Sequence, residues 1–227
     1  MLDFVPGENE IEAWQSLVHV CRRWRTVVFA SPRRLNLRLL GTSRRRVRDM
    51  LDVWPALPFV IRDYAFLSKG VDNIIASLEH GNRVCQIILL GVPGLDMERI
   101  LAAMQKPFPE MMHLELHTYG QTVPVFPDSF LAASLQFFLL DGIPFPGIPN
   151  LLSSATHLVQ LRLWDIPHAG YISPEVVVTA LSTLSTLEEF LPWIPIPSVS
   201  PWPGKPTSTP NMLCPLRSHS ILLQGGH

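Results

Sequence analysis

Two imidazoles flank one carboxylate in His113-Leu114-Glu115-Leu116-His117, and side chains of this kind bind metals or move protons. On a helix, residues four apart share a face, and the two imidazoles could close on one zinc ion. The alternation with Leu114 and Leu116 predicts a strand instead, in which His113, Glu115 and His117 all point away from the core as a polar row. Elsewhere the chemistry thins out. There is no G-x-S-x-G elbow, and Gly204-Lys205 runs into Pro206 without the upstream glycine of a phosphate loop. Cys21, Cys85 and Cys214 are odd in number and lack C-x-x-C spacing, so neither a disulfide framework nor a zinc site is expected. Cys21 falls on the apolar stripe of a helix and reads as core, not nucleophile. No catalytic residue, metal or cofactor is therefore expected.

The polar row belongs to a repeated element. Val84-x-x-Ile87-x-Leu89, Met111-x-x-Leu114-x-Leu116, Leu135-x-x-Phe138-x-Leu140 and Leu158-x-x-Leu161-x-Leu163 start 27, 24 and 23 residues apart, within the span of leucine-rich repeats. Weaker copies lie at Leu57-x-x-Val60 and Leu187-x-x-Phe190. Where such repeats carry Asn or Cys at the turn, this chain has Val92, Tyr119, Ile143 and Ile166. Less regular turns are expected. Between the strands, helical spacing recurs at Val71, Ile74, Ile75 and Leu78, at Ile148, Leu151, Leu152 and Ala155, and at Val177, Ala180, Leu181 and Leu184. Ser173 and Pro174 read as N-cap and first residue of the last of these. Such units share a core only by stacking.

If the Leu positions point inward, the alternate positions line a common outer face. It would carry Gln86, Ile88 and Leu90; His113, Glu115 and His117; Phe137, Leu139 and Asp141; Gln160, Arg162 and Trp164; and Glu189, Leu191 and Trp193. Its aromatic and Arg residues are the types that anchor interfaces. His113, Glu115, His117, Phe137, Asp141, Arg162 and Trp164 are the expected partner-binding residues.

Upstream, Trp14, Leu17, Val18, Cys21, Trp24 and Val28 follow helical period, and Arg22, Arg23 and Arg25 interrupt them as a charged cluster. These six apolar residues are expected to be mostly buried. Val20-Cys21-Arg22-Arg23-Trp24-Arg25, followed by Ser31-Pro32 and Leu35-Asn36-Leu37, resembles the second half of an F-box, in particular the F-box-like families of mushroom-forming fungi with degenerate leucine-rich repeats behind the box. The resemblance implies a substrate receptor of an SCF-type ubiquitin ligase. A Skp-family adaptor and its cullin-based ligase would dock at Trp14, Leu17, Val20, Cys21, Trp24 and Val28, and an unknown protein substrate on the repeats. An F-box opens with Leu-Pro and an apolar helix, whereas here only Met1-Leu2-Asp3-Phe4-Val5 precedes Pro6. The first adaptor-contacting helix is thus expected to be missing, and the chain to be a fragment or an aberrant product. A truncated repeat scaffold without ligase association is the alternative.

Composition sets the remaining bounds. The chain has 227 residues, 47% of them hydrophobic and 16% charged, with no run apolar enough for a membrane span and no signal peptide. An intracellular protein of cytoplasm or nucleus, without a membrane partner, is expected. Residues 1–48 hold 10 basic and 4 acidic side chains, leaving 8 basic and 15 acidic for the rest. The basic cluster from Arg22 to Arg48 lacks the aromatic platforms or second reading helix of a nucleic-acid binder, so that partner is not expected. Eight of the 22 prolines fall in the last 36 residues, predicting a disordered tail. The expected fold is α/β: an incomplete helical F-box remnant over 1–40, an irregular leucine-rich-repeat solenoid with parallel strands over 41–196, and the Pro-rich tail over 197–227.

Overall fold

The computed structural model describes residues 19, 21–30, 38–42, 49–50, 56–64, 70–167 and 172–192. By its contacts the chain divides into two units, Met1–Ile194 and Pro195–His227, and every described residue belongs to the first. Trp14, Leu17, Val18, Val20, Trp193, the Arg44–Arg48 run and the Pro-rich tail lie outside the described residues. The described fold is α/β, with seven strands and five α-helices. In chain order these are α1 (Arg22–Ala30), β1 (Leu39–Gly41), β2 (Phe59–Asp63), α2 (Val71–Leu78), β3 (Val84–Pro93), α3 (Gly94–Ala103), β4 (His113–Tyr119), β5 (Phe137–Asp141), α4 (Ile148–Ser154), β6 (Gln160–Trp164), α5 (Pro174–Leu181) and β7 (Glu189–Pro192).

All seven strands are parallel and their order in the sheet is their order in the chain. Parallel neighbours need crossover connections, and crossovers share one hand. With sequential order, that hand carries every crossover over the same side of the sheet. One hydrophobic cluster accordingly unites Val28 of α1, Ile74 and Leu78 of α2, Met97 and Ile100 of α3, and Leu151 and Leu152 of α4 with one side of the strands. Ala180 and Leu181 of α5 pack against it.

Register aligns the repeated positions. Ile87, Leu114, Phe138, Leu161 and Phe190 stand side by side on β3 to β7, as do Leu89, Leu116, Leu140 and Leu163 on β3 to β6. Each of the first four strands of this series also buries the residue that opens its motif, Val84, Met111, Leu135 or Leu158. Just before the strands, paired amides fasten each unit to the last: Gln136 and Phe137 donate to the Met112 carbonyl at 2.9 and 3.0 Å, and Val159 and Gln160 to that of Gln136 at 2.8 and 2.9 Å. Glu188 and Glu189 donate in the same way to Val159.

At the other end, the turns use backbone in the left-handed region next to the positions where the sequence lacks a turn Asn or Cys. Gly120, Gly142 and Asp165, each directly after its strand, have φ of 110°, 73° and 45°. Glycine enters that region freely and Asp with a short polar side chain tolerates it. A Cβ at Gly142 would also stand 3.1 Å from Thr118 Cγ2.

Four sequence readings need correction or completion. Phe59 and Ile61, not Val60, face the main core: the extra residue at the β2–β3 irregularity is Cys85 of β3, so β2 simply alternates from Leu57, and Val60 joins Leu40 and Cys85 in a small second cluster on the other side. Helix α3 was not among the expected elements. Between β4 and β5, where little was expected, Phe126 and Phe130 fill the core: Phe130 meets Phe108 and Phe126, and Phe126 also meets Phe138 and Phe145, through edge-on and tilted ring contacts. Finally, Cys21 and Trp24 are exposed, Trp24 to 52%, while Val28 is buried as expected. In the nine residues of α1 only Val28 is buried, so the stripe at Cys21 and Trp24 faces solvent, not core.

Candidate functional site

Opposite the helices, alternation along β2 to β7 sets a second row of side chains. In register run Arg62, Ile88, Glu115, Leu139, Arg162 and Leu191, and beside them Val60, Gln86, His113, Phe137, Gln160 and Glu189. A third set pairs His117, Asp141 and Trp164. The face is graded. Val60, Arg62, Gln86 and Ile88 are buried, whereas His113, Glu115, His117, Phe137, Asp141, Arg162 and Trp164 are half-buried and Leu191 is exposed. Leu139 is also buried, between Glu115 and Arg162 on the flanking strands. The seven expected partner-binding residues thus lie together on β4, β5 and β6.

His117 holds the centre of this group. Its Nδ1 is 2.9 Å from Asp141 Oδ2 and its Nε2 is 3.1 Å from Glu115 Oε1. The other oxygen of Glu115 stands 3.5 Å from His113 Nε2. Burial opposes charge on Glu115, but hydrogen bonds from His113 and His117 and their positive charge outweigh it and hold the carboxyl at about 2. For His117 burial again opposes the charge, and the hydrogen bonds and charges of Glu115 and Asp141 overcome it, raising its pKa. The Trp164 ring meets the imidazole edge-on, with centroids 6.1 Å apart.

A second motif surrounds Phe137. The His113 ring stacks on it at 4.2 Å and 13°, and the Arg162 guanidinium lies over it 5.4 Å from the centroid. Arg162 also donates to Glu189 Oε2 at 3.0 Å, joining β6 to β7. Arg162 Nε and Gln160 Oε1 are buried without a hydrogen-bond partner among the described residues. Arg62 was missed by the sequence reading, which took Val60, two residues before it on the same face, for a core position. It is buried and its Nη2 donates to Gln86 Oε1 at 3.4 Å.

Among the described residues, no group of three or more His, Cys, Asp or Glu side chains could hold a metal ion. Nor is any helix among them long and apolar enough to cross a membrane. Cys85 sits at the β2–β3 irregularity and donates its thiol to the Phe59 carbonyl at 3.1 Å. Burial pushes that thiol's pKa up, so it stays protonated.

Of the residues implied for adaptor docking, Trp24 and Val28 fall on α1 and Cys21 stands just before it. The Cys21 Sγ accepts the Trp24 amide at 3.5 Å. Trp24 and Val27 are both about half exposed, at 52% and 54%. No family model, curated protein or solved structure matches the chain.

Proposed function

We propose that this chain is an F-box-like receptor of an SCF-type ubiquitin ligase, whose leucine-rich-repeat-like solenoid binds a protein substrate on the outer face of its sheet. The observation that carries the reading is that, among the described residues, the outer face is only half-buried at β4 to β6, although it is buried at β2 and β3. Parallel sheets are ordinarily covered on both faces. Here the described helices pack against one face, and the half-buried aromatic, Arg and carboxylate side chains of β4 to β6 occupy the other. Such a mixture suits a protein partner. Catalysis would be proximity alone, the chemistry belonging to other subunits.

What supports the ligase part is the F-box-like segment and the exposure of Trp24 and Val27 on α1. An exposed indole on a helix is expected where a partner covers it. The test is co-expression of the full chain with a Skp-family adaptor. A complex that survives gel filtration and is lost on Trp24→Ala supports the receptor. Absence of any complex, while the chain still captures a binding protein through Trp164, replaces it with a repeat scaffold working outside a ligase.

A further inference from the structure

We propose that His117 is a pH switch on the outer face: its proton ties Glu115 to Asp141 across β4 and β5, and losing that proton unties them and leaves the face one charge more negative. Ionised carboxylates only accept hydrogen bonds, so an imidazole engaging one at each nitrogen must donate from both, which only the imidazolium does. The 2.9 Å to Asp141 is that of a charge-assisted bond, and the 3.1 Å to Glu115 is an ordinary N–H···O distance. A neutral ring would turn a lone pair toward one of the two carboxylates. That contact is repulsive, and it lies where the three side chains are only 21% to 27% exposed, so water weakens the repulsion little.

Among the described residues, the surroundings leave the switch to these groups. On its own strand His117 has Glu115, with His113 beyond. Strand β5 brings Asp141, and β3 brings the uncharged Ile88 beside Glu115. From β6 come the Trp164 ring and Arg162, the latter engaged by Glu189 of β7; Arg62 of β2 is directed to Gln86. Trp164, edge-on to the imidazole, reports the change. The effect on a bound partner rests on the receptor reading. A segment presenting Lys or Arg to this face would bind more tightly once the proton is lost, and an acidic segment less tightly.

The experiment follows the His117 ring nitrogens by NMR in the full chain, without any partner, from about pH 5 to about pH 9, the range a histidine switch spans. The expected midpoint lies above the ordinary 6.5, with Trp164 resonances moving at the same pH. Glu115→Gln and Asp141→Asn should each lower it. Should either variant not fold, the unaltered chain decides: at pH 6.5 both ring nitrogens should carry protons. A midpoint at or below 6.5, or one unmoved in both folded variants, overturns the switch. Because no partner is present, failure of the ligase reading leaves this result standing.

Discussion

His117 and Asp141 lie 24 residues apart in the chain, yet their side chains meet at 2.9 Å across two neighbouring strands. Together with Glu115 they give stability a defined pH dependence. Glu115 has a folded value near 2 against an ordinary 4.5, so its contribution is full above 4.5 and is lost as the pH falls toward 2. His117 has a raised folded value, so its contribution is full below 6.5 and is lost as the pH rises through that folded value. Both act together between 4.5 and 6.5. Denaturant midpoints measured against pH should peak there, and Glu115→Gln should remove about 1 to 2 kcal/mol at the peak. A flat profile would contradict the clamp.

Trp24→Ala should cost less than about 1 kcal/mol of folding stability, because the indole is already half exposed. Its effect on adaptor affinity should be larger, about 2 kcal/mol or more if the indole anchors that interface. Urea unfolding and adaptor titration of the same variant separate the two.

Phe138→Ala should behave in the opposite way. The ring is fully buried and meets Phe126 and Phe145 at 5.8 and 6.0 Å. Truncation removes its transfer energy and opens a cavity, at about 3 to 5 kcal/mol. An unchanged melting temperature would mean that the aromatic cluster is packed otherwise.

At the turns, Gly142→Ala should destabilise by about 1 to 2 kcal/mol, since a Cβ there is strained at positive φ and crowds Thr118. Asp165→Gly relieves the same strain and should be neutral or stabilise by about 0.5 to 1 kcal/mol. Chemical denaturation of both variants checks the pair.

Trp164→Ala should leave folding nearly intact, because the ring is half-buried on the outer face, and should weaken a captured substrate by about 2 kcal/mol or more. Loss of the fold on this substitution would place Trp164 in the core and remove the recognition face.

Much of the sheet was legible because apolar period and spacing both repeat: Ile87, Leu114, Phe138 and Leu161 stand in register as their motifs foretell. Reading failed where the local pattern carries too little. At Leu57-x-x-Val60, β2 lacks the extra residue that β3 carries at Cys85, so the spacing of three that keeps Val84 and Ile87 on one side puts Val60 on the other, and one residue exchanges the two faces of a strand. Met97, Ile100, Leu101 and Met104 did have helical spacing, which the sequence reading passed over in following the strands. For Trp24, period shows which residues share a side of α1 but not what lies against that side. The His117 clamp was invisible for another reason. Alternation placed each member on the outer face, but only cross-strand register brings Asp141 to an imidazole that sequence leaves solvated.

Because strand order follows chain order, nearly every long-range contact joins residues about one unit apart, and none needs distant segments to find each other first. Loop closure then costs about the same at every step. Folding can start at the most deeply buried neighbours, β2 and β3, and spread outward like a zipper. Strand β7, whose Phe190 is only partly buried and whose Leu191 is exposed, would close last and open first. Hydrogen exchange should therefore fall in protection from β4 toward β7, making the sheet a graded structure whose parts need not come apart together.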